Sequence, residues 1–236
     1  MKNAPPARTF SWKALLMGDS GLVAEELRHT SIRRLGASLA LIVLGTGCYG
    51  ASIGVWLGPL HAGYVAVKLP LAIVLTLGVN SLLNGMLARV LGGGLSFRQT
   101  FEALLLSFAV FSLVVGALCP PILFLTRALP GPDSAAAGDA HRWLLLFHTF
   151  VIAQAGIVST RKLHGILRRF SGGPVAARAT LLAWLAGNLF AGAQIGFMLR
   201  PIFGTPGLET VFLRPDPFEG NFYESVWWAL RHTLAR

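Results

Sequence analysis

Long apolar runs, each closed by glycine, proline or charge, set the rhythm of this chain. Five runs reach bilayer length, at about 36–57, 67–90, 101–125, 143–160 and 179–199. Each has roughly the 17–25 residues that a hydrocarbon core requires. They are apolar all round, whereas a helix of a soluble core keeps a polar face. Gly58-Pro59 closes the first run, and Gly92-Gly93-Gly94 the second. Pro120-Pro121 bends or ends the third. The pattern predicts an all-α fold, an integral membrane bundle of five transmembrane helices over 36–199.

Two flanking segments do not span. Residues 1–35 place Trp12, Leu15, Leu16, Leu22, Val23 and Leu27 among charges, as an amphipathic segment lying on the membrane face does. Residues 200–236 turn at Pro201, Pro206, Pro215 and Pro217 and then become aromatic. Phe222, Val226, Trp227 and Leu230 share one helical face there, which predicts an interfacial helix.

Composition agrees with the pattern. Apolar residues make up 54% of the chain and charged ones 13%, half of the roughly 25% usual in soluble domains. Mean hydropathy is +0.62. The net charge of +10 does not form the stripe that nucleic acid requires, so no nucleic-acid partner is expected. It sits instead at run ends. Six Lys/Arg precede the first run, Arg89 and Arg98 lie between runs two and three, and Arg161, Lys162, Arg168, Arg169 and Arg178 between four and five. The other side has none between Leu57 and Val67, then Arg127 and Arg142. The positive-inside bias predicts a cytoplasmic N-terminus and an extracytoplasmic tail. The first 35 residues show no cleavage pattern, so the first run is expected to stay as a span.

Candidate chemistry is sparse. Lys68 and Glu102 fall at predicted span edges, where snorkelling would serve them. Uncharged polar residues inside the spans are Asn80 and Asn84, His148 and Gln154, and Asn188 and Gln194. Hydrogen bonds between helices, worth about 0.6–2 kcal/mol each, are the preferred account. A solute pathway lined by Asn80, Asn84, Asn188 and Gln194 is the alternative. His148 stands alone in the sequence, a weak signal for a metal or pigment ligand. Gly50 and Gly54, at GxxxG spacing, and Gly187 and Ala191 are candidates for close helix packing. Cys48 and Cys119 have no metal-ligand spacing. No Ser-His-Asp, HExxH, CxxC or paired-carboxylate arrangement is present, so a non-enzymatic protein without cofactor or metal is expected. Arg200, Arg214, Asp216 and Glu219 suggest a charge-paired surface lid over the tail end of the bundle. Phe222, Tyr223, Trp227 and Trp228 are its candidate partner contacts.

The stretch from Lys68 to Leu125 resembles the Yip1-type membrane domain. In that family a span is followed by a glycine-rich cytoplasmic turn, an S-[FY]-R-Q stretch and another span. Here Gly92, Gly93, Gly94, Ser96, Phe97, Arg98 and Gln99 carry the likeness. The resemblance implies a five-span fold concerned with membrane organisation and protein partnering, in a bacterial inner membrane. The leading reading is therefore a subunit or organiser of a membrane assembly, with lipids and other membrane subunits or further copies as partners. A transporter or channel for a small or lipid-like solute is the alternative. A third is a membrane subunit of a cofactor-containing enzyme.

Overall fold

The computed structural model describes residues 31–90, 95–171 and 173–224, with Gly21, Val23, Glu25, 27–29 and Trp227 besides. Six α-helices have described ends: α1 Ile32–Gly54, α2 Pro59–Val90, α3 Phe97–Ala117, α4 Cys119–Ala128, α5 Ala137–Phe170 and α6 Pro174–Met198. A 3-10 turn, Val55–Leu57, closes α1. All but α4 are long and apolar enough to cross a membrane. The protein is an all-α, five-span integral membrane protein. Of the predicted amphipathic segment, Trp12, Leu15, Leu16 and Leu22 lie outside the described residues, as do the Gly92–Gly94 turn, Val226, Trp228 and Leu230, while Val23 and Leu27 are buried in the core.

Local chemistry sets the helix ends. Ser31 caps α1, its Oγ accepting from Arg34 N at 3.3 Å. Ser96 and Gln99 form a capping box at α3: Gln99 N donates to Ser96 Oγ (3.3 Å) and Ser96 N to Gln99 Oε1 (2.9 Å). The S-F-R-Q stretch is thus a helix-start signal that satisfies otherwise orphaned N–H groups.

Several boundaries depart from the hydropathy reading: α5 runs from Ala137 to Phe170 against the expected 143–160, so Arg161, Lys162, Arg168 and Arg169 are helical rather than in a loop. The stretch before Val67, expected as a loop, is the start of α2. Proline at a helix start sacrifices no hydrogen bond, so Pro59 opens the helix directly after Gly58, whose φ of 119° makes the turn. The third run ends at Ala117, and α4 begins with Pro120-Pro121 in its first turn.

Around α3 the core is densest. Leu104, Leu105, Leu106, Ala109 and Val110 are all buried, and Leu163, Ile166 and Trp184 join their cluster. Helix α1 lies against α2 and α3 through glycines. A Cβ on Gly45 would stand 2.3 Å from Ser112 O, one on Gly50 2.5 Å from Val65 O, and one on Gly54 2.6 Å from Ala62 Cα. Gly50 and Gly54 therefore sit at a contact within the chain. Buried hydroxyls mostly satisfy themselves: Ser38, Thr46, Ser81 and Ser112 each donate to the carbonyl four residues back.

Candidate functional site

Neither charge expected at a span edge is an edge anchor. Lys68 lies in the third turn of α2 and is fully buried. Its Nζ donates to Pro201 O at 2.6 Å. Seven residues earlier, on the same face of α2, buried His61 donates Nε2–H to Ile202 O at 3.1 Å. The early start of α2 explains the correction, because it moves Lys68 from the rim into the bundle. Glu102 is likewise buried and ion-paired to buried Arg34 of α1. Its Oε1 lies 3.5 Å from Arg98 Nη1, one turn back, in ion-pair range but without a hydrogen bond. Arg34 Nη2 also donates to His29 O at 2.8 Å.

The chain leaving α6 is thus held by two buried side chains of α2. It passes through a cis Arg200–Pro201 bond and inserts Phe203 toward the bundle, where its ring lies 5.7 Å from that of His148. His148 is fully buried and shares a 2.9 Å hydrogen bond between Nδ1 and Tyr49 Oη. Phe147 completes the aromatic surround at 5.4 Å. Gly204 has φ 64°, and a Cβ there would meet Leu57 Cδ1 at 2.1 Å, so the tail closes tightly over α1 and α2. Among the described residues no group of three His, Cys, Asp or Glu could hold a metal. His148 is an aromatic-caged, hydrogen-bonded histidine.

Further on, the tail runs back along α6. Phe222 N donates to Gln194 Oε1 at 3.0 Å, and Tyr223 Oη to Phe190 O at 3.0 Å. Tyr223 also stacks on Phe190, 5.0 Å between ring centres. Gln194, Phe222 and Tyr223 therefore join tail to helix inside the chain, while Trp227 is exposed. Among the described residues the expected charge-paired lid is not formed. Arg214 donates to the carbonyls of Pro217 and Glu219, so backbone oxygens do the work assigned to carboxylates.

A groove of about 830 Å³ opens between α5 and α6 beneath this tail. Leu145 and Ile152 line one wall; Leu189, Gly192, Ala193 and Gly196 line the other. Asn188 lies at one end and Arg200 at the other. They are twelve positions apart, or roughly 18 Å along a helical path at 1.5 Å per residue. Glycines on α6 create the space, since a Cβ on Gly196 would meet nothing within 4 Å. A second cavity of about 440 Å³ shares Arg200, Pro201, Gly204 and Thr205 with the groove and adds His61 and Arg214.

Deeper, α2 meets α6 through Asn80 and Asn84, both fully buried. A Cβ on Gly187 would stand 3.1 Å from Asn80 Oδ1 and 3.5 Å from Asn84 Oδ1, so this glycine makes room for the pair. Among the described residues the hydrogen bonds expected to join the helices here are not formed. Both amides, Asn188 Oδ1, Trp184 Nε1 and Thr180 Oγ1 have no hydrogen-bond partner. Ser81, the neighbour of Asn80, donates to Leu77 O at 2.6 Å and is satisfied within its own helix. Ala191 is buried on α6, and Gln154 is exposed midway along α5.

Comparison with family models, curated proteins and solved structures found no match to the chain.

The tail-end anchors were missed in the sequence because His61 falls between the first two predicted spans and Lys68 at the edge of the second. Their spacing of seven residues, two helical turns, is the signal that could have shown them.

Proposed function

We propose that this protein binds a lipid-like solute in the groove between α5 and α6, and that this binding is its function. The groove carries the reading. It is apolar over most of its length, glycine-shaped, closed above by an anchored tail, and cationic at one end. A ligand site of about 300–1,000 Å³ with few polar groups suits a small amphiphile. No charged side chain of a transmembrane helix lines it, so the contents need not be an ion.

Gly196→Leu tests this. The side chain enters open space, so the fold is retained while the groove is filled. With a photoactivatable acyl-chain lipid, wild-type labelling should concentrate at Leu145, Ile152 and Leu189, and Gly196→Leu should lower it about tenfold there. Unchanged labelling in the variant, equal to that on α1, would mean that lipid merely coats the bundle.

The assembly reading rests on a different observation. Only 17% of the apolar stretch of α6 and 28% of that of α5 is buried, against 56% for α3. Gln154 is exposed in mid-helix. A lipid-facing amide gains by meeting another helix. A chain that runs as an oligomer in the same experiment, with α5 shielded from labelling, would put this reading in place of the first. The likeness to the Yip1-type domain is proposed in its support.

The proposed orientation follows the basic residues, with the N-terminus cytoplasmic and Arg200 on the far side of a bacterial inner membrane. A reporter fused after Arg236 should be active only outside the cytoplasm. Cytoplasmic activity would reverse the assignment.

A further inference from the structure

The two cavities meet at Arg200, and that meeting has a chemical character of its own. Arg200 lies two residues beyond Met198, the last residue of α6, at the depth where a spanning helix reaches the headgroup layer. Its guanidinium sits 3.4 Å from the centre of the Phe197 ring, and that of Arg214 4.8 Å from the same ring. One aromatic ring thus has two cations against it. Arg200 spends Nε on Phe197 O at 3.0 Å. Arg214 spends Nη2 on backbone carbonyls, and its buried Nε has no partner. Among the described residues neither arginine is in ion-pair contact with a carboxylate. Glu209, exposed on the wall of the smaller cavity, is in ion-pair range of neither. Burial and the Arg214 charge both push the Arg200 guanidinium below its usual value. Two like charges on one ring, at the mouth of an apolar groove, call for an anion that brings an acyl chain with it.

We propose that Arg200 and Arg214 form a headgroup site for an anionic phospholipid, whose phosphate they bind while one acyl chain lies along Gly196 and Gly192 toward Asn188. This rests on the groove reading given above. Guanidinium groups suit phosphate because their planar forks donate two parallel hydrogen bonds to it. Phe197 fixes the forks, so little side-chain freedom is lost when the lipid arrives. A zwitterionic lipid would fill the groove equally but leave the cation pair without net countercharge.

The full chain is reconstituted in phosphatidylcholine nanodiscs containing graded phosphatidylglycerol, and the retained lipid is counted by native mass spectrometry. Wild type should retain phosphatidylglycerol over phosphatidylcholine by about tenfold, the scale of one strong charge-assisted contact. Arg200→Gln combined with Arg214→Gln should bind both lipids alike, while Arg200→Lys should keep part of the preference. Inorganic phosphate at millimolar concentration should not displace the lipid. Equal retention of the two lipids by wild type overturns the proposal even if no variant folds. An unchanged preference in the double variant, with Gly196→Leu still emptying the groove, overturns the headgroup site and leaves the groove reading standing. If Gly196→Leu also changes nothing, both fall. Displacement by phosphate alone would identify a site for free anions and overturn the lipid assignment.

Discussion

Glu102→Gln is expected to destabilise the bundle by about 3–5 kcal/mol, the usual result of removing one partner of a buried ion pair. The exchange is nearly isosteric, so packing is preserved and charge is what changes. Arg34 would then keep its guanidinium buried beside a neutral amide. Arg98→Ala is the internal comparison. It removes the exposed member of the same network and should cost about 0.2–1 kcal/mol. Replacing Arg34 with Met and Glu102 with Leu together should recover most of the loss, because no uncompensated charge is left inside. Thermal unfolding in detergent, read by loss of helical circular dichroism, orders the four proteins. A Glu102→Gln protein as stable as Arg98→Ala would show that water reaches the pair and that its burial is not energetically felt.

The second large effect is expected at Gly45. An added methyl would lie 2.3 Å from Ser112 O and 2.9 Å from Ser112 C, both backbone atoms of α3 that no rotamer change can move. Gly45→Ala should cost about 1–3 kcal/mol or more through forced separation of α1 from α3. Alanine's better helix propensity, about 1 kcal/mol, does not offset this. Gly50→Ala, against Val65 O, should behave similarly. Gly63→Ala and Gly78→Ala are the controls, since a Cβ at either position meets nothing within 4 Å. These should be neutral or stabilising by roughly 0.5–1 kcal/mol. The comparison is carried by the difference in melting temperature between the two sets. Similar melting temperatures would mean that α1 can shift bodily and that the glycine contacts are not specific.

These two sites divide what was legible from what was not. Gly50 and Gly54 announce close packing through their spacing. Gly45 makes a tighter contact, yet its partners Ser112 and Gly116 lie on α3, and no local pattern names a residue about seventy positions away. Glu102 reads as a boundary residue because hydropathy averages over a window and cannot say which side of a helix faces the bundle. The Ser96–Gln99 stretch stood out as a family likeness, and the structure gives it a local meaning, a capping box at the start of α3. Asn80 and Asn84 were visible as polar residues one turn apart. Whether they bond across an interface depends on the facing residue, which is Gly187 and has no side chain to offer.

By itself the sequence determined the all-α class, the number of spans and where most of them stop. Those properties follow from apolar run length, proline and glycine, and each acts within a turn or two of the residue concerned. Only the tertiary structure decided that Lys68 and His61 are buried anchors for the tail, that Arg34 reaches Glu102, and that α5 and α6 leave a groove ending at Arg200. Each of those depends on how helices far apart in sequence are rotated against one another. That rotation is set by the fit of many small contacts at once, and no single residue encodes it.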